Sequence, residues 1–139
     1  MKVLLDTNVL MDVLEQRDEH YEASAEVLSL GVEKRIEAIV PGHALTTVYY
    51  LVARNLGRQR ADEAVDWLLA SFRIVSATHA CFERARGLGF ADFEDAVVAA
   101  IAESERCDFI ATRNTSDFKA FPVPAVAPSR LLGQITTSR

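Results

Sequence analysis

Apolar positions along this 139-residue chain alternate between short continuous runs and helical spacing. Lys2 to Asp6 (KVLLD) is the short β-favouring run expected of a strand covered on both faces. From Thr7 to Gln16, Val9, Leu10, Val13 and Leu14 fall on one helical face. A second helix is predicted from about Asp18 to Lys34, with Tyr21, Ala25, Val27, Leu28 and Leu30 as its stripe. Glu37 to Val40 is a strand closed by the breaker pair Pro41-Gly42. Helix three runs from about His43 to Leu56 and stops at Gly57, a natural C-cap. Arg60 to Phe72 predicts a fourth helix with Ala64, Trp67, Leu68 and Ser71 inward. A weak strand (Arg73 to Ser76), a short helix (Thr78 to Gly87) and an Ala/Val-dense helix (Asp92 to Glu105) follow. Asp108 to Thr112 (DFIAT) is again a strand, and Val123 to Ala127 (VPAVA) a last one, confined by its prolines to a sheet edge.

Strands alternating with helices argue for βαβ units. The fold class is α/β: one domain over residues 1–139, a parallel central sheet of about five strands, and helices on both faces. Half the residues are apolar and a quarter charged, which excludes wholesale disorder. A chain of this length buries about two thirds of its unfolded surface and needs no disulfide or structural zinc. Cys81 and Cys107 are too sparse for either and read as free thiols in a reducing cytoplasm. The N-terminus has no signal-peptide core, and the longest apolar run, Ala96 to Ala102, is far too short for a membrane span. The expectation is a soluble, cytoplasmic protein.

The net charge of −5 argues against a basic nucleic-acid coat protein but not against a nucleic-acid enzyme that uses metal ions and local arginines. Arg54, Arg58 and Arg60 form one compact basic stretch, readable as a phosphate-contacting rim or as a solvated turn. Val48, Leu51 and Val52 read equally as core or as a homodimer face.

The candidate chemistry lies in aspartates at corresponding places in the βα units. Asp6 ends the first strand and is followed by Thr7 and Asn8, a position that open parallel sheets use for ligands. Asp92 and Asp95 share one side of a first helical turn, with Glu94 expected to turn away. Asn114 and Asp117 follow the DFIAT strand. Each alone is explained by capping or turn formation. Together they bring oxygen ligands to one sheet edge, a set suited to Mg²⁺ or Mn²⁺ and to metal-assisted phosphodiester hydrolysis. No P-loop, dinucleotide fingerprint or nucleophile elbow competes.

With VLLDTNVLMDVL, DFEDAVVAAIAE and DFIATRNTSDF in this order, the chain resembles PIN-domain nucleases, in particular VapC-like toxins of toxin–antitoxin pairs. That resemblance implies a parallel-sheet fold, Mg²⁺- or Mn²⁺-dependent RNA cleavage and a cognate antitoxin partner. It assigns Asp6 and Asp95 to the first and third acidic positions and Asn114 or Asp117 to the last. Thr112 and Asn114 match polar positions that hold such a site together. One departure stands out: Pro41 to Leu56 contains no acid, and Thr46 or Thr47 occupies the place where the family carries one. Asp92 is the candidate replacement.

The expected mechanism has Asp6, Asp95 and Asp92 or Asp117 holding one or two divalent ions, with Arg54, Arg58, Arg60 and Arg113 contacting the RNA backbone. No histidine is placed by sequence to act as a base. The alternative is a non-catalytic or attenuated RNA- or partner-binding module whose aspartates only cap helices. A receiver-like phosphoacceptor domain would want adjacent acids after the first strand, which KVLLDTN lacks.

Overall fold

A computed structural model describes residues 1–118 and 121–137. Five parallel strands stand in the order β3-β2-β1-β4-β5: β1 (Lys2–Leu5), β2 (Glu37–Pro41), β3 (Arg73–Val75), β4 (Phe109–Ala111) and β5 (Ala125–Val126). Between them run α1 (Thr7–Leu14), α2 (Tyr21–Val32), α3 (Gly42–Leu56), α4 (Arg58–Ser71), α5 (His79–Gly87) and α6 (Phe93–Ser104). A 3₁₀ turn at Thr115–Phe118 follows β4, and α7 (Pro128–Thr137) follows β5. The α/β expectation holds, and the strand order reverses direction between β1 and β4, the switch point where such sheets place their ligands.

Alternation along β1 divides the core. Val3 and Leu5 face a cluster that includes Val9, Leu28, Val48, Leu68 and Leu131, from α1, α2, α3, α4 and α7. Leu4 faces the opposite cluster, built with Cys81 of α5 and Val98 and Ile101 of α6. Both cysteines are free and buried, and burial pushes the Cys107 thiol up to about 12. At Gly31 an added Cβ would meet the Ala38 Cβ at 2.8 Å, so α2 sits against β2 only because that position is bare.

Several boundaries differ from expectation. Helix α1 stops at Leu14, and Gln16 adopts φ 49, so the chain turns before α2 begins at Tyr21. Gly57, at φ 96, ends α3 as predicted but feeds α4 directly, from Arg58 rather than Arg60. Trp67 is 37% exposed, and the inner face of α4 is Ala61, Ala64 and Leu68. Val48 and Val52 are core, which removes them from any dimer face. Helix α7 was not expected; Pro128 opens it, the favoured first-turn place for proline. Among the described residues no helix is long and apolar enough to cross a membrane.

Candidate metal centre at the carboxyl edge of the sheet

Asp6 is the first residue beyond β1 and is 3% exposed. Its Oδ1 accepts from the Thr7 backbone N–H at 2.8 Å, capping α1, and its Oδ2 accepts from the Thr112 hydroxyl at 2.8 Å. The Thr112 Oγ1 also accepts from Asn8 Nδ2 at 3.2 Å and from the Asn114 backbone N–H at 3.1 Å. A hydroxyl has one proton to give and two lone pairs to fill, so Thr112 is fully used. Asn8 returns across the same gap, its Oδ1 accepting from the Arg113 N–H at 3.1 Å. The loops after β1 and β4 are thereby fastened together, and Asp6 is held facing the edge.

Asp92 caps α6, its Oδ1 accepting from the Asp95 N–H at 3.2 Å. Asp95 itself is 7% exposed, and among the described residues no hydrogen-bond donor reaches its carboxylate. Burial pushes its carboxyl up to about 7, with the charges of Asp92, Asp6, Glu94 and Asp117 each adding to the rise. Asp6 is raised too, chiefly by burial, although the Thr112 and Thr7 hydrogen bonds pull it back. Of the predicted carboxylates, Asp92 and Asp95 lie close together, whereas Asp6 and Asp117, the latter in the 3₁₀ turn, add their charge to Asp95 without joining that close group.

Two residues missed by sequence join them. Glu94 does not turn away: one of its carboxylate oxygens lies within 4.8 Å of oxygens from Asp92 and Asp95. Its Oε2 stands 3.7 Å from Nε2 of His43, in the first turn of α3. The signal for His43 was present, because Pro41-Gly42-His43 is the direct join of β2 to α3 at the carboxyl end of β2, on the same edge as Asp6.

The arginines are placed elsewhere. Arg54, in the last turn of α3, and Arg58 and Arg60, in the first turn of α4, are exposed, and α3 is a 15-residue helix about 22 Å long whose opposite end carries His43. Arg113 lies closer, but its Nε bonds Asp12 Oδ2 at 3.0 Å, and Asp12 is fully buried in α1. Ser24 Oγ donates to the same Asp12 oxygen at 3.0 Å, and Arg17 approaches Oδ1 at 3.8 Å.

All-oxygen donors, mutual repulsion and a buried carboxyl without a partner fit a hard divalent cation. The PIN domain family model matches residues 2–116. The chain belongs to the PIN domain family. A curated relative, Ribonuclease VapC1 of Aquifex aeolicus (strain VF5), is 23% identical over 120 residues, 83% of each chain. The fold matches a toxin–antitoxin complex from Klebsiella pneumoniae with TM-score 0.70 at 24% identity, over 91% of this chain and 97% of that one. It also matches Mycobacterium tuberculosis VapC20, a Sarcin-Ricin loop cleaving toxin, with TM-score 0.68 at 16% identity, over 85% and 94%. The five-stranded parallel sheet of this PIN domain is thus the one found in VapC-type structures.

Proposed function

We propose that this PIN domain is a Mg²⁺- or Mn²⁺-dependent endoribonuclease acting as the toxin of a toxin–antitoxin pair. The observation that carries the reading is Asp95: buried, without a hydrogen-bond donor among the described residues and under the charge of four further acids, it makes sense as half of an interaction with a cation. Asp6, Asp95, Asp92 and Asp117 would hold the ion. When bound, it supplies an activated water and charge neutralisation at the scissile phosphodiester. Thr112, Asn8 and the Asn114 backbone keep Asp6 from swinging into solvent, and Thr7 fixes its other oxygen. Of the arginines, Arg54, Arg58 and Arg60 are free to meet RNA away from the cut, whereas Arg113 is engaged with Asp12. An antitoxin is the proposed partner. Leu56 and Trp67, both exposed, flank a groove with Val13 and Leu14 whose rim also carries Arg60 and Glu63, a lining that suits an amphipathic segment of it. A homodimer and a cytoplasmic location belong to the same proposal.

RNA cleavage by the purified protein with Mg²⁺, Mn²⁺ or EDTA tests this, beside Asp6→Asn and Asp95→Asn. Metal-dependent cleavage lost in both variants supports the enzyme. The non-catalytic alternative draws on the two caps, because Asp6 and Asp92 each accept a helix N–H. Asn caps nearly as well as Asp. No cleavage with any metal, and Asp6→Asn behaving as the parent, would establish that alternative.

A further inference from the structure

Helix α3 carries no acid, yet its first turn has a carboxylate neighbour from another element. Glu94 belongs to α6, but its Oε2 is 3.7 Å from His43 Nε2, and its carboxylate shares the cluster of Asp92 and Asp95. Two unpartnered groups bracket it. His43 Nε2 is buried without a hydrogen bond, and Asp95, more than nine-tenths buried, has a carboxylate that no donor reaches among the described residues. We infer that Glu94 is a metal-holding carboxylate that stands in for the acid missing from α3, with His43 as its positioning residue.

The inference rests on the metal-nuclease reading above and names how this chain completes its site. A Glu in the first turn can reach the sheet edge because Cα–Cβ bonds lean toward a helix N-terminus, so first-turn side chains overhang the helix end. Glu94 is the half-exposed member of the set, with 44% of its side chain accessible, whereas Asp95 is 7% exposed, so the pair would offer an ion one solvent-facing and one buried carboxylate. His43 is a poor ligand for Mg²⁺, which selects oxygen. Its place beside Glu94 instead limits where that carboxylate goes, as partners of metal-ligating carboxylates do.

The test is Mn²⁺ binding to the full-length protein, by calorimetry and by the electron paramagnetic resonance of free Mn²⁺, in 0.1 and 0.5 M KCl. Glu94→Gln is expected to weaken Mn²⁺ by tenfold or more at both salt concentrations, with metal-free thermal unfolding showing a folded protein. His43→Ala is expected to weaken it several-fold in the parent and not further in the Glu94→Gln background, the non-additivity of two residues acting as one. Parent-like affinity in Glu94→Gln beside lost affinity in Asp6→Asn overturns the inference and leaves the nuclease reading standing. A loss seen in 0.1 M KCl that disappears in 0.5 M reveals a screened charge effect and also overturns it. Additive losses remove His43 from its role. No Mn²⁺ binding by the unaltered protein overturns both the inference and the reading it rests on.

Discussion

Asp12 and Asp95 are two buried carboxylates with opposite surroundings. Asp12, fully buried in α1, receives the Ser24 hydroxyl and the Arg113 guanidinium, with Arg17 at 3.8 Å. Asp95, 7% exposed at the start of α6, receives no hydrogen bond among the described residues and feels the like charge of four other acids. Burial of a carboxylate is tolerable when the chain itself supplies the counter-charge. Asp12 meets that condition and ties α1, α2 and the loop after β4 together. Asp95 violates it, and a fold that keeps such a conflict keeps it for something outside the chain.

The contrast can be broken most sharply by substitution. Asp12→Ala is expected to destabilise the protein by about 3 kcal/mol in chemical denaturation, since it strips a buried pair of one partner. Asp95→Asn should do the reverse in the absence of metal, raising the midpoint at neutral pH while abolishing metal-dependent cleavage. Equal losses of stability in the two variants would show that Asp95 is a structural group like Asp12.

Thr112→Val comes next. It keeps the shape but leaves Asp6, Asn8 and the Asn114 N–H short of a partner, for an expected loss of about 1–3 kcal/mol. Thr112→Ser should recover most of it. If valine is tolerated, the hydroxyl does not fasten the two loops.

A smaller effect is the pH dependence. The Asp95 carboxyl titrates at about 7 in the folded protein and near 4 when unfolded, so between those values the folded state binds more protons. Metal-free protein should therefore lose stability as pH rises from about 4 through 7, by a few degrees in thermal midpoint. Asp95→Asn should flatten that slope.

The smallest effect belongs to the distant arginines. Arg58→Ala is expected to leave stability unchanged and to lower RNA affinity across sequences, with a shallower salt dependence. Unchanged RNA binding would make Arg58 a surface residue only.

Much of this was legible in the chain because it is local. Val, Leu and Ile runs mark β1, β2 and β4, and Asp6, Asp92 and Asp95 sit where a strand ends or a helix begins. Helix α7 was hidden by its neighbourhood: three prolines between residues 122 and 128 mark an interrupted edge, and only packing of Leu131 into the core gives the following segment a buried face. Glu94 was misjudged for a different reason. Spacing along a helix orders side chains around its axis, but at the first turn they also project past its end, toward whatever the sheet has gathered there. His43 and Glu94 lie 51 positions apart, and only the crossover from β2 through β3 to α6 makes them neighbours.

The outer strands of the sheet carry one more consequence. Strand β3 has three residues and β5 two, and Pro124 and Pro128 flank the latter. Neither border offers the length of unsatisfied main chain that a visiting strand needs for pairing. Any protein that captures this one would therefore have to recognise it by side-chain relief on its helices rather than by strand pairing, so that the identity of surface residues would decide which partner fits.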